Sequence, residues 1–306
     1  MIHIEILIIN WNAGTLITDA VESILGCDYP KESLSVIVID NASTDGSVEN
    51  IPPHPSVKII RNKKNVGFAA ACNQGYLLAK GDYFLLLNPD TKLFIDTLTK
   101  SVQFMEQNAN ISILGVKHLD DMGIVHPSCS RFPTLSDFLI LSIGLNKVFP
   151  KFFKPPIIMM DYDYEKGGNV DQVMGAYMFM RMRDIDRFGL KMDERFFLYY
   201  EDLDFSKQLR EAGGLSYYTP SISIIHAVNG TTNQIKDRRL FYNIKSRLQY
   251  SKKYFNEFEL FLISIFSLLI EPFCRITQLL FKGKMIEIKE VLKGYWMIYA
   301  NLIGLK

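Results

Sequence analysis

The chain has 306 residues, 48% of them hydrophobic and 22% charged, with a net charge of +1. That length buries a sizeable core, and the composition excludes a disulfide-stapled miniprotein, a collagenous chain and a disordered tail. The near-neutral total hides an asymmetry. Residues 236–306 hold 13 basic and 6 acidic side chains, a net of +7, so the first 235 carry −6. A basic C-terminal segment on an acidic body suits an anionic surface. Without a recognition module, nucleic acid is disfavoured. Cys27, Cys72, Cys129 and Cys274 are far apart and form no paired motif, as expected of isolated reduced thiols in a cytosolic protein. Met1 to Glu5 reads as the start of a strand and is not expected to be a signal peptide.

The first hundred residues alternate strand and helix. Ile4 to Ile9 is a continuous apolar run, as in a buried parallel strand. Leu16, Ile17, Ala20, Val21 and Ile24 follow at helical spacing. Val36 to Ile39 is the next strand, and Asn41 to Gly46 is turn chemistry. Val57 to Ile60 is the third strand, and Phe68, Ala71, Cys72, Gly75, Tyr76 and Ala79 share one helix face. Tyr83 to Leu87 is the fourth strand, and Phe94, Leu98, Val102 and Met105 stripe the next helix. Repeated βα units imply an α/β fold with a mostly parallel sheet flanked by helices.

Residues 126–168 hold five of the twelve prolines and read as a long loop or lid with a short helix from Phe138 to Leu145. Val173 to Met180 reads as a strand, and a helix runs from Leu203 to Ala212, stopped by Gly213-Gly214. Residues 215–225 form a strand ending at His226. From Lys236 the pattern is helical, basic and aromatic. Leu260 to Ile270 is the longest uncharged apolar stretch near the C-terminus. Glu259, Glu271, Pro272 and Arg275 bracket it too closely for a spanning helix. The division expected is 1–235, with halves of about 1–115 and 116–235, followed by 236–306.

Ligands of open α/β sheets bind at the carboxyl ends of strands. Here those ends are Asn10-Trp11-Asn12, Asp40-Asn41, Arg61-Asn62 leading to Asn65-Val66-Gly67, and Asn88-Pro89-Asp90. Asp and Asn there accept from a base N–H, hold a ribose or ligate a cation, or they are ordinary turn chemistry.

Asp40 to Ser47, Asn65 to Gly75, Leu86 to Asp90, and Gly175-Ala176 followed by Asp193 to Asp204 form an ordered motif set. This set resembles the family 2 glycosyltransferases over roughly residues 1–235. The Asn88-Pro89-Asp90 form and Ser130-Arg131-Phe132-Pro133-Thr134 look most like rhamnosyltransferases of bacterial surface polysaccharides. The resemblance implies a GT-A fold and inverting transfer from a nucleotide diphosphate sugar to a glycan or polyprenyl-linked acceptor. It favours dTDP-rhamnose, with a UDP-hexose or UDP-galactofuranose as the alternative donor. A catalytically silent carbohydrate-binding or scaffold protein, or a nucleotidyltransferase, are the competing classes.

By this resemblance Asp40 accepts the pyrimidine ring N–H, which favours uracil or thymine over cytosine. Trp11 packs on the base or in the core, and Asn10 or Asn12 contacts the base. Asn65, Gly67 and Asn73 shape the nucleotide side, or Gly67 is just the helix entry. Relatives carry two carboxylates around a cation where this chain has Asn88 and Asp90. Asn88 then ligates through its carbonyl or holds the ribose. Asp90, the diphosphate and His226 would hold Mn²⁺ or Mg²⁺. Asp202 is the implied base and Glu201 the acceptor-hydroxyl partner, with Asp204 in support. The helix start favours ionised carboxyls, and an acidic neighbour offsets that. Residues 236–306 mix lysines with large apolar residues, so the segment is expected to lie on an anionic membrane, pack on the body or form a homodimer. The expected location is the cytoplasm, peripheral on the inner face of the cell membrane.

Overall fold

The computed structural model describes residues 2–149, 152–153, 157–227 and 236–304. The chain runs β1 (Ile4–Asn10), α1 (Leu16–Leu25), β2 (Leu34–Asp40), β3 (Val57–Arg61), α2 (Phe68–Tyr76), β4 (Tyr83–Leu87), β5 (Thr91–Leu93) and α3 (Thr97–Gln107). It continues through β6 (Ile113–Leu119), β7 (Val125–His126), β8 (Cys129–Ser130), α4 (Leu135–Ile143) and α5 (Leu145–Val148). Then come β9 (Gly168–Val170), β10 (Gln172–Val173), β11 (Tyr177–Arg181), α6 (Met182–Phe188), α7 (Glu201–Glu211) and β12 (Ser216–His226). Four helices follow, α8 (Lys236–Tyr254), α9 (Glu257–Ile265), α10 (Glu271–Phe281) and α11 (Met285–Leu302).

Two compact units result. The described residues of 1–130, 162–194 and 201–231 form the sheet unit; those of 131–161, 195–200 and 232–306 form the helical unit. The helical unit thus takes in part of the proline-rich middle, which is helical at α4 and α5.

The main sheet has the order β3-β2-β1-β4-β11-β6-β12-β5. The β3-β2-β1-β4 half is parallel, and β11 pairs antiparallel with both β4 and β6. Alternate residues of β1 face opposite layers. Ile4, Ile6 and Ile8 share a core with Ile17, Val21 and Ile24 of α1 and Leu98, Val102 and Met105 of α3. Leu7 points the other way, towards α2. A Cβ at Gly75 would lie 2.3 Å from a Leu7 methyl, so only glycine permits this approach.

Three expectations need correction. Phe94 does not stripe α3, which starts at Thr97, and is 40% exposed. The run from Val173 to Met180 is two strands, because Met174-Gly175-Ala176 leave the ladder. The apolar C-terminal stretch is also longer than the brackets implied, since α9 and α10 join through a π-turn at Phe266–Ile270. Together they give a 25-residue helix, Glu257–Phe281, long and apolar enough to cross a membrane. Pro272 sits at the start of α10, directly after the π-turn. Glu271 is buried against Arg247 and Arg275 instead of facing outward.

Candidate active site

The site builds from the ends of β1 and β2, where Asn10 and Asp40 are paired in register. The Asn10 amide donates to Asp40 Oδ1 at 3.0 Å, to Ser43 Oγ at 3.0 Å and to Ser47 Oγ at 2.9 Å. The Ser43 N–H donates to Asp40 Oδ2 at 3.3 Å. Asp40 is therefore a buried carboxylate of fixed orientation. Asn12 and Ala42 both adopt left-handed backbone, with φ of 50° and 63°. Cross-ties hold these costly conformations: Asn12 N–H donates to Ser43 Oγ, and Thr44 N–H to Asn12 Oδ1. Trp11 is half-buried at this edge.

Side-chain amides link β2 to α2. Asn41 donates to the Gly67 carbonyl at 3.2 Å and accepts from Asn62, which also donates to Gln74. Gly67 has φ of 92°, and its N–H donates to Asn65 Oδ1 at 2.9 Å, closing the turn into α2. Asn73 donates to the Met192 carbonyl and to Glu194 Oε1, both at 2.9 Å, and accepts the Met192 N–H at 3.1 Å. Its side chain thus fixes the segment leading towards Glu201.

Beyond β4, the N–H of half-buried Asn88 donates to the Ala176 carbonyl at 3.2 Å. Asp90 Oδ1 and His226 Nε2 lie 3.4 Å apart, each side chain about one-tenth exposed. Pairing of His226 with Thr91 and an Ala227 N–H donated to the Asp90 carbonyl hold them there. An oxygen and an imidazole nitrogen side by side form a donor set suited to a divalent cation. Among the described residues no group of three or more His, Cys, Asp or Glu forms a complete cation cage. His118 packs its ring edge-on to His226, with centroids 5.4 Å apart. Burial and the neighbouring His226 and His126 push His118 down to about 3, so it stays neutral.

The acidic pair opens α7. Asp202 Oδ2 accepts the Gly175 N–H at 3.2 Å, and Oδ1 accepts the Leu203 N–H at 2.8 Å. Glu201 is buried, and its Oε2 has no protein partner. Burial raises both carboxyls above the ordinary range. For Asp202 the Gly175 and Leu203 N–H groups and Gln172 oppose the rise; for Glu201 the Asp202 charge adds to it. Desolvation thus outweighs the helix start. Cys72 of α2 is buried beside the pair, its thiol pushed well up by burial and by both carboxylates. Asp204 accepts from Gln208 at 2.6 Å within α7. Tyr199 and Tyr200, immediately before Glu201, both have φ of 69°. Two consecutive non-glycine residues in that region cost roughly 1–2 kcal/mol each.

Strand register brings these groups to one edge. Asp40 ends β2, Asn10 ends β1, and Asn88 and Asp90 follow β4. Gly175, bonded to Asp202, precedes β11, whose Tyr177 pairs with Leu87. At about 4.8 Å per strand, β2 to β11 spans roughly 14 Å. Gln172 and His118 lie outside the motif set; Gly175, Cys72 and the tyrosine pair lie within it, but their contacts and backbone conformations carry no local sequence signal.

Solved structures share this architecture. A Pyrobaculum calidifontis mannosyltransferase, PcManGT, in complex with GDP-Man and Mn²⁺, superposes with a TM-score of 0.54 at 15% identity, covering 100% of this chain and 88% of that one. S. aureus TarS residues 1–349, in complex with UDP-GlcNAc, superposes at 0.53 and 14% identity, covering 95% and 79%. The fold is thus GT-A, with helices C-terminal to the sheet unit. Residues 5–188 match the model of glycosyl transferase family 2, and the chain belongs to that family. It is 26% identical over 209 residues to an N-acetylglucosaminyl-diphospho-decaprenol L-rhamnosyltransferase of Mycobacterium tuberculosis, covering 63% of this chain and 66% of that protein. It is 28% identical over 183 residues to rhamnosyltransferase WbbL of Escherichia coli K12, covering 59% and 66%. The chain therefore spans just under two-thirds of the length of these relatives.

Proposed function

We propose that the protein transfers a sugar, with inversion, from a nucleotide diphosphate donor to a hydroxyl of a glycan or lipid-linked acceptor in surface polysaccharide synthesis. The observation that carries this is the alignment of Asp40, Asp90 and Asp202 along one strand-end edge of the sheet unit. The names of the rhamnosyltransferase relatives support rhamnose as the sugar and, for the Mycobacterium tuberculosis protein, a polyprenyl diphosphate glycan as acceptor; in this reading the donor is dTDP-rhamnose and the work is done at the inner face of the cell membrane.

In this reading Asp40 accepts the N3–H of thymine or uracil, its orientation fixed by Asn10 and Ser43. Trp11 covers the base. Gly67 and Asn65 shape the turn beneath the nucleotide, and Asn88 holds the ribose or adds a carbonyl oxygen to the cation. Asp90 and His226 would hold Mn²⁺ or Mg²⁺, which neutralises the departing diphosphate when bound. Asp202 takes the acceptor proton; its raised carboxyl is a better-matched base than an exposed aspartate. Glu201, without a protein partner at Oε2, binds a neighbouring acceptor hydroxyl.

A panel of nucleotide sugars tests this by thermal stabilisation, with and without Mn²⁺. The expected result is a larger shift with dTDP-rhamnose than with any UDP-sugar, strengthened by the metal. A larger UDP-sugar shift replaces the donor, and no shift with any nucleotide sugar refutes the transfer.

A further inference from the structure

The helices α9, α10 and α11 leave two apolar stripes uncovered. On the 25-residue helix Glu257–Phe281, the exposed residues Phe258, Phe261, Leu269, Phe273 and Leu280 recur at spacings of three, eight, four and seven. On α11 the exposed Met285, Leu292, Trp296, Tyr299 and Ile303 recur at seven, four, three and four. Each set is one helical face. The opposite faces are occupied. Tyr295 and Ile298 of α11 are buried with Phe241 and Ile244 of α8. Glu271 of α10 is buried against Arg247 of α8, with Arg275 closing over it.

The charge pattern selects the occupant of the free faces. Among the described residues from Glu257 to Gly304, the exposed charged residues are Glu257, at the far end of the long helix, and four lysines, Lys282, Lys284, Lys289 and Lys293. Of the other acidic residues, Glu259, Glu287 and Glu290 are only partly exposed, and Glu271 is buried. Lys282 and Lys284 flank the turn between α10 and α11, beside Phe281, 89% exposed, and Ile286, 81% exposed. Apolar side chains ringed by lysine fit the boundary between acyl chains and anionic headgroups. A second copy on a two-fold axis would bring lysine against lysine. Length alone would let Glu257–Phe281 cross a bilayer. Its other face, however, packs on α8, whose Arg238, Arg239, Lys245, Lys252 and Lys253 exclude that helix from hydrocarbon.

We propose that the α9–α11 faces dock flat on an anionic lipid bilayer, with the Phe281–Ile286 turn as the deepest point, and that the helix Glu257–Phe281 lies on the membrane without crossing it. The purpose of docking rests on the proposed lipid-borne acceptor, but the docking itself is read without any donor, so either reading can fail alone.

The test uses the full chain with phosphatidylcholine vesicles, with and without phosphatidylglycerol. The full chain is expected to sediment only with the anionic vesicles, and brominated lipid quenches Trp296. Trp296→Phe removes that quenching without affecting sedimentation. Phe273→Gln with Phe281→Gln abolishes sedimentation at unchanged circular dichroism and Tm, since both side chains are already in solvent. Lys282→Ala with Lys284→Ala weakens vesicle binding roughly 30-fold. Equal sedimentation with both vesicle types, or sedimentation untouched by the phenylalanine pair, overturns the proposal. A lipid-free dimer abolished by the same phenylalanine pair, with no vesicle binding, assigns the face to self-association and also overturns it.

Discussion

Replacing Glu201 with glutamine is expected to stabilise the protein and to do so only above acidic pH. Glu201 is buried, its Oε2 lacks a partner, and Asp202 is adjacent, so its carboxyl is raised by burial first and by that charge second. At pH below its unfolded value, near 4.3, both folded and unfolded chains hold the proton and the substitution gains nothing. As pH rises, the unfolded chain releases the proton first and wild-type stability falls, levelling off once the folded-state value is passed. Holding one carboxyl neutral costs about 1.4 kcal/mol per pH unit, which sets a ceiling of about 4 kcal/mol at neutrality. Glutamine occupies the same volume without that cost. The expected gain of roughly 1–4 kcal/mol corresponds to a Tm rise of about 2–6 °C near pH 8, shrinking to nothing near pH 4. Thermal unfolding across that range measures it. A difference that does not vary with pH, or a variant less stable than wild type near pH 8, would refute the reasoning. A gain in stability with a loss of transfer is the pairing expected of a residue kept for function.

Four further outcomes follow from the same geometry. Asp202→Asn is expected to lower transfer by roughly 10²–10⁴-fold while calorimetric donor binding stays at wild-type level. Asp40→Ala removes a charge-assisted hydrogen bond worth about 1.5–3 kcal/mol, so the donor Kd rises about 10- to 150-fold by titration. His226→Ala raises the Mn²⁺ concentration needed for half-maximal activity by at least roughly tenfold, read from metal titration of chelator-treated protein. Arg247→Met leaves Glu271 with Arg275 alone and destabilises the chain by about 3 kcal/mol in urea unfolding.

The parallel half of the sheet was legible because strands buried on both faces read as unbroken apolar runs, as at Ile4–Asn10 and Tyr83–Leu87. The strand Ile113–Leu119 was not, since Gly115, Lys117 and His118 interrupt its run. Gly115 is required there, because a Cβ would lie 2.5 Å from a Val173 methyl, a contact no local pattern reveals. The donor-side residues were legible as polar punctuation after apolar strands. The Gly175 N–H on Asp202, the thiol of Cys72 beside the acidic pair, and the left-handed Tyr199 and Tyr200 are facts of backbone path and through-space proximity. Single-residue identities do not encode them.

The reversed direction of β11 has its own consequence. Its neighbour β4, like β1 beyond it, offers its finishing residues to the strand-end edge, whereas β11 offers its beginning. One side of the cleft is therefore framed by segments leaving the sheet, the other by a segment arriving. Lengthening or exchanging the stretch ahead of Gly175 can remodel what is received there without moving the hydrogen-bond register that seats Asp40 and Asn10. Under the proposed function, such a layout would let one scaffold diversify its recipients while its supplier of activated sugar stays the same.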